Sequence, residues 1–354
     1  MLAVTQDATK TPLLSVNDLH VTFHGDDATV HAVRGVSWEI HPGEVLGIVG
    51  ESGSGKSVSV SSILGLLPSP PAVVSGGPVT FKGRDLLGMS ERELRAIRGQ
   101  EIAMIFQDPM TAFNPVKTIG GQIAEAIRVH DRSVSRSAAR DRSIALLGMV
   151  GVPSPQARFS QFPHEYSGGM RQRAMIAMAI ANHPRLLIAD EPTTALDVTI
   201  QAQILELLEV VRKETDAATI LITHDLGVIA EVADRVLVMY AGKVVESTAI
   251  LPLFQRPRHP YTLGLLGSLP RLDVRMDTLF SIPGQPPNMA QLPAGCAFAA
   301  RCALSRGRSI CREQDPPLVA VGDQWSACHF TSEMELAAAA VSEQVGLDIR
   351  AGRD

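Results

Sequence analysis

The sequence predicts an α/β protein built on a mainly parallel core sheet. Three observations carry that prediction: short, wholly apolar runs recur along the chain, segments of helical character separate several of them, and one run feeds directly into a glycine-rich loop that opens a helix. The run Val45-Leu46-Gly47-Ile48-Val49, bounded by Gly43 and Gly50, has the composition of a strand buried on both faces. Ile102 to Phe106, Leu186 to Ala189, Thr219 to Thr223 and Val236 to Tyr240 are of the same kind.

Taken in order, the first stretch, Leu13 to Glu39, reads as β-rich, with alternation in Leu19-His20-Val21-Thr22-Phe23. A helix is expected from Lys56, ending before Pro68. Ser90 with Glu93 forms a capping-box pattern for a helix through Arg98. Thr111 to Ala181 lacks strand signals and reads as mostly helical. After about Glu246 prolines recur, at 252, 257, 260, 270, 283, 286, 287 and 293, which marks a boundary into a loop-rich region. The expected organisation is an N-terminal tail over 1–12 and a main domain over 13–250, with a helical subdomain at about 111–181. A smaller domain over 251–330 and an Ala- and Glu-rich tail over 331–354 follow. No internal repeat is visible, so one main domain is expected, not two.

Hydrophobic residues make up 45% of the 354, while aromatics are only 4%, so the core must rest on Leu, Ile, Val, Ala and Met. A formal charge of −5 gives no overall basic field, which argues against a nucleic-acid partner. No apolar stretch reaches the roughly 18 to 20 residues that span a bilayer. Met1 to Pro12 contains Asp7 and no apolar run, unlike a secretory signal. The chain is expected in the cytoplasm, with any membrane association made through a partner.

Gly50-Glu51-Ser52-Gly53-Ser54-Gly55-Lys56-Ser57 matches G-x-x-x-x-G-K-[ST] between an apolar strand and a helix. Glycines let the backbone wrap so that successive N–H groups point at phosphate oxygens, aided by the helix N-terminus. Lys56 is expected to reach the β- and γ-phosphates, and Ser57 to ligate Mg²⁺. The other reading of these eight residues is a Gly/Ser-rich turn that happens to carry a lysine; the strand and helix on either side argue against it. Leu186-Leu187-Ile188-Ala189 ends in Asp190-Glu191. Beside a phosphate loop, a strand-end aspartate holds Mg²⁺ and the next carboxylate polarises the attacking water.

Tyr166-Ser167-Gly168-Gly169-Met170-Arg171-Gln172-Arg173 resembles the signature sequence of ABC ATPases and stands about 20 residues before the acidic strand, as in that family. Ala195-Leu196-Asp197 is similar to its D-loop, Gln107 to its Q-loop glutamine, and His224 in Thr223-His224-Asp225 to its switch histidine. The resemblance implies a P-loop NTPase with a β-rich N-terminal subdomain, a helical subdomain and a small loop-rich C-terminal domain. It implies ATP hydrolysis with Mg²⁺ held by Ser57, Gln107 and Asp190, Glu191 and His224 serving the chemistry, and Gln107 sensing the γ-phosphate. It also implies that Ser167, Gly168, Gly169 and Asp197 cover ATP bound to a second, identical or homologous subunit. Phe23 is the candidate ring for stacking on adenine; a core position is the alternative.

Met170 stands where the wider family prefers Gln, as is habitual in the dipeptide/oligopeptide importers. Asn114-Pro115-Val116-Lys117-Thr118-Ile119-Gly120, His259-Pro260-Tyr261-Thr262 and Ile282-Pro283-Gly284-Gln285-Pro286-Pro287 resemble the same branch. That branch implies two transmembrane permease subunits, an extracytoplasmic solute-binding protein and a place on the cytoplasmic face of the membrane. It implies peptides as cargo, with nickel or glutathione as alternatives among close relatives. A soluble ABC regulatory ATPase, remodelling a nucleic-acid or ribosomal partner, is the rival reading, which the acidic charge and the importer-like tail argue against.

All four cysteines fall within Cys296-x5-Cys302-x8-Cys311-x16-Cys328. Paired C-x2-C spacings of zinc ribbons are absent, and four thiolates in a loop-rich segment suit an iron–sulfur cluster. Zinc and four unligated thiols remain alternatives on the spacing. The resemblance to the peptide-importer branch implies a [4Fe–4S] cluster there, with Ala303 replacing the proline common after the second cysteine.

Overall fold

The computed structural model describes residues 11–194, 197–268 and 281–334. The tails expected over 1–12 and 331–354 lie largely outside them, as do Ala195 and Leu196 of the D-loop-like stretch.

The chain opens with an antiparallel pair, β1 (Leu14–His24) and β2 (Thr29–Ile40), and then enters β3 (Val45–Val49), which runs through the glycine-rich loop into α1 (Lys56–Ile63). β4 (Ala72–Ser75) and β5 (Val79–Phe81) add to β1, and β6 (Arg84–Asp85) adds to β5, giving an antiparallel five-stranded sheet. In α2 (Glu91–Ile97) the expected capping box is made: the Ser90 hydroxyl accepts from the Glu93 amide and the Glu93 carboxylate accepts from the Ser90 amide. β7 (Ile102–Ile105) leads to α3 (Pro109–Ala112), α4 (Ile119–His130), α5 (Arg136–Met149), α6 (Pro155–Arg158) and α7 (Gly168–Ala179), a stretch free of strands as the sequence predicts.

The chain then returns to the core sheet through β8 (Leu186–Asp190), α8 (Val198–Thr215), β9 (Ala218–Thr223), α9 (Leu226–Val232), β10 (Arg235–Tyr240) and β11 (Lys243–Ala249). β10, β3, β9, β8 and β7 lie side by side and parallel. Burial on both faces explains their unbroken apolar character. Leu46, Ile48, Leu186, Ile188, Ile220 and Ile222 join the core shared with the five-stranded sheet. Val45, Val49, Leu187, Ala189 and Leu221, one position out of phase, join the core under the helices. Gly47 interrupts β3 for a packing reason: a Cβ there would stand 2.8 Å from Cδ1 of Ile229 on α9.

Downstream, α10 (Ile250–Gln255) and α11 (Pro260–Gly267) precede α12 (Ser309–Glu313), β12 (Val319–Val321) and β13 (Gln324–Ser326). The proline-rich texture conceals these two short strands. β13 pairs with β11 through Glu246↔Ser326 and Ser247↔Trp325, so the C-terminal region extends the core sheet. Asp315 binds Arg34 of β2 and Lys243 of β11, tying the same region to both sheets. Among the described residues, no helix is long and apolar enough to cross a membrane.

The junction also buries two titratable groups. The Glu246 carboxylate accepts the backbone N–H groups of Arg258 and His259 at 2.6 and 2.9 Å, and Nδ1 of His259 accepts the Tyr261 amide at 3.1 Å, capping α11. Burial pushes Glu246 up to about 7 and His259 down to about 3. His259 is neutral in the fold and charges on unfolding, so its contribution to stability falls by about 2 kcal/mol on acidification from pH 6.5 to about 5. Glu246 takes up a proton first in the folded state, so its contribution rises over the same span by about 2 kcal/mol. In the native protein the two largely cancel. Glu246→Gln is therefore expected to lose about 2 kcal/mol more stability than wild type between those pH values, read from thermal midpoints. Equal pH slopes in the two proteins would show Glu246 to be ionised in the fold.

Candidate active site

The glycine-rich loop leaves β3 and curls around its own lysine. Lys56 Nζ donates to the carbonyls of Gly50 and Glu51 at 2.8 and 3.0 Å, and only 4% of the residue is exposed. The wrap needs glycine where it is tightest. Gly55, at φ +98° on the N-cap of α1, would place a Cβ 2.5 Å from the Ala32 carbonyl, and Gly53, at φ +78°, faces open space. The Ser54 hydroxyl is buried without a hydrogen-bond partner. Burial pushes Lys56 below its usual pKa, against the carboxylates of Glu191, Asp190 and Glu51, which favour its charge.

Three further strand ends reach the same place. Asp190 closes β8, and its Oδ1 accepts the Ser57 hydroxyl at 2.7 Å; burial raises its pKa, with that hydrogen bond opposing. Glu191 follows in the left-handed region at φ 45°, a strained conformation for a glutamate, which turns its side chain into the cleft. There Oε2 accepts from Gln107 Nε2 at 2.9 Å and Thr194 Oγ1 at 2.8 Å, with His224 Nδ1 at 3.7 Å. Gln107 comes from just beyond β7 and His224 from the end of β9. Gly50 through Ser57, Gln107, Glu191 and His224 thus line one open cleft of about 550 Å³.

Other predicted residues lie elsewhere. Ser167 caps α7 by accepting the Met170 amide, and open space stands in front of Gly168; neither they nor Gly169 line the cleft. Asp197 caps α8 by accepting the Ile200 amide at 2.9 Å. Phe23 is half-buried on β1, across from Val30 of β2 and Ala72 of β4, and packs against the core.

The iron–sulfur expectation is corrected. Cys296, Cys302, Cys311 and Cys328 do converge, but the void they line measures about 10 Å³, room for a single water and not for a cluster of eight heavy atoms. Among the described residues no group of three or more His, Cys, Asp or Glu is arranged to hold a metal ion. The thiols are free, and burial pushes Cys296 up to about 12 and Cys328 up to about 11, which favours neutral thiols over ligating thiolates.

Several contributors to the cleft escaped sequence reasoning. Thr194 holds Glu191, and Gln172 of α7 donates to the Pro192 carbonyl at 2.7 Å, linking the signature-like helix to the acidic loop. Leu265 of α11 lines the cleft from the C-terminal region. Tyr261 Oη accepts the Glu51 amide at 2.7 Å, and Arg301 binds both oxygens of the Glu51 carboxylate. Only the small spacing of Thr194 from Glu191 was visible locally; the other partners are set by tertiary contact.

Comparison with known proteins agrees with this geometry. The profile described as ABC transporter matches residues 33–194, and that described as oligopeptide/dipeptide transporter, C-terminal region, matches residues 245–311. The chain is 56% identical to the dipeptide transport ATP-binding protein DppD of Bacillus subtilis, over 82% of this chain and 86% of that one. It is 52% identical to the oligopeptide transport ATP-binding protein OppD of the same organism, over 88% and 87%. Among solved structures, a dimeric bacterial ABC transporter cassette superposes with a TM-score of 0.60 at 28% identity, over 67% of this chain and 98% of that one. A dimeric cassette in a post-hydrolysis state bound to ADP and Pi gives 0.60 at 26% identity, with the same coverage. The phosphate-loop cleft and these relatives together make the chain a member of the ABC ATPase family, in its dipeptide/oligopeptide transport ATP-binding branch.

Proposed function

We propose that this chain is the ATP-hydrolysing subunit of an ABC importer for di- and oligopeptides. One observation carries the reading: a phosphate loop and the strand-end residues Glu191, Gln107 and His224 meet in one cleft, with Asp190 bonded to Ser57 of its wall, and Leu265 of the C-terminal region that the peptide-transporter profile matches lines the same cleft.

The residues present fit ATP and magnesium. The tight wrap at Gly55, the unpartnered Ser54 hydroxyl and the buried Lys56 suit a polyphosphate, and Ser57, Asp190 and Gln107 offer the hard oxygen donors magnesium prefers. When bound, the ion neutralises charge developing on the transferred phosphoryl group. Gly50 through Ser57 orient the phosphates by backbone amides, and Lys56 exchanges its two loop carbonyls for phosphate oxygens. Glu191 accepts a proton from the attacking water, with Gln107 and Thr194 fixing its carboxylate. His224, 61% exposed, stands at the open side and orients the same water.

Ser167, Gly168, Gly169 and Asp197 do not line this cleft and serve the nucleotide of a second subunit, identical or homologous, in a dimer like those of the cassette relatives. Phe106, Met110 and Val116 expose apolar surface around the Gln107 loop, a surface suited to one of two permease subunits. Residues 13–250 form the nucleotide domain and 251–330 the smaller C-terminal one. The assembly works at the cytoplasmic face of the membrane with an extracytoplasmic solute-binding protein.

Glu191→Gln is expected to retain ATP binding and lower turnover by roughly 10² or more, the scale of a lost general base; near-normal phosphate release would remove Glu191 from that role. Affinity isolation of the chain from detergent-solubilised membranes is expected to recover two multi-span permeases. Recovery of soluble proteins alone would count against a transporter subunit.

A further inference from the structure

Glu51, the second residue of the phosphate loop, places a carboxylate in the wall of a cleft that fits a polyphosphate. Unopposed, that charge would repel the ligand and compete for Lys56. It is held at both its backbone and its side chain by the C-terminal region. Tyr261, fully buried, accepts the Glu51 amide at 2.7 Å from 210 positions downstream. Arg301 forks both carboxylate oxygens at 2.7 and 2.9 Å from 250 positions downstream, with 6% of its side chain exposed. Bidentate pairs of this kind fix orientation as well as charge.

The arginine is itself held. Its Nε donates to the Pro283 carbonyl at 2.9 Å, Nη1 reaches the Tyr240 hydroxyl at 3.3 Å, and the rings of Tyr240 and Phe298 lie 5.9 and 6.0 Å from the guanidinium. Tyr240, Tyr261 and Phe298 form a packed triad, with centroids 4.7 to 5.4 Å apart, that anchors the fork to the end of β10. We propose that Arg301 and Tyr261 are positioning residues of the nucleotide site: Arg301 neutralises Glu51 and holds it away from the phosphates, while Tyr261 fixes the loop backbone at the same residue. The C-terminal region is thereby part of the ATP site of its own subunit, an inference that rests on the ATPase reading above.

The test uses the full chain, with MgATP binding read by calorimetry and KM and kcat read from phosphate release. Arg301→Met is expected to weaken MgATP binding and raise KM by about tenfold or more, with kcat within about threefold. Adding Glu51→Gln is expected to recover most of that loss, because the repelling charge is gone. A mere tether would not be restored this way, since the double variant lacks it too. Binding by Arg301→Met within about threefold of wild type, or a double variant no tighter than Arg301→Met, overturns the inference. Should Arg301→Met not fold, Tyr261→Phe carries the test: a KM raised about fivefold with kcat held supports it, and an unchanged KM overturns it. A wild-type chain that binds no MgATP overturns the ATPase reading and this inference together.

Discussion

Parallel pairing of β7, β8, β9 and β3 is the constraint on which the rest of the structure depends. Parallel neighbours end on the same edge, so the segments that follow them are delivered to one place although they are far apart in the chain. Gly50 to Ser57 follow β3, Gln107 follows β7, Asp190 and Glu191 close and follow β8, and His224 follows β9. The same pairing buries each strand on both faces, which is why the runs are apolar without alternation and why Gly47 must yield its side-chain volume to Ile229.

At that edge the local chemistry is one of concentrated and opposed charge. A buried lysine faces three carboxylates, and each is held by a specific partner: Asp190 by Ser57, Glu191 by Gln107 and Thr194, Glu51 by Arg301. Burial works against charge on both Lys56 and Asp190, and the lysine's carboxylate neighbours and the Ser57 hydroxyl work back the other way. The left-handed backbone at Glu191 stores strain at the one carboxylate proposed to touch the reacting water, where over-determination by Thr194, Gln107 and the Ile222 carbonyl holds it.

The C-terminal region is bound into this arrangement. β13 continues the core sheet, Asp315 spans two strands of different sheets, Leu265 lines the cleft, and Tyr261 and Arg301 reach the phosphate loop itself. The cysteines cluster beside this junction, where Cys302 follows Arg301 directly, and line with Phe298 and His259 a void of about 10 Å³; Cys311 is buried and the other three are partly so.

How much was legible follows from the range of each interaction. The sequence by itself determined the fold class, the phosphate loop, the acidic strand end and the capping box of α2, because these rest on periodicity and short-range motifs whose residues are neighbours in the chain. It also placed the helical stretch between β7 and β8. The tertiary structure alone decided what long-range packing sets: the two short strands hidden in proline-rich texture, the Thr194 and Gln107 grip on Glu191, and the packed position of Phe23. It also decided against the cluster that the resemblance implies at the four cysteines, since a sequence states which ligands exist and not how much room lies between them. The hold of Arg301 on Glu51 is the plainest case. No local pattern joins residues 250 positions apart; only a folded sheet edge, crowded with aromatic rings, brings that cation to that carboxylate.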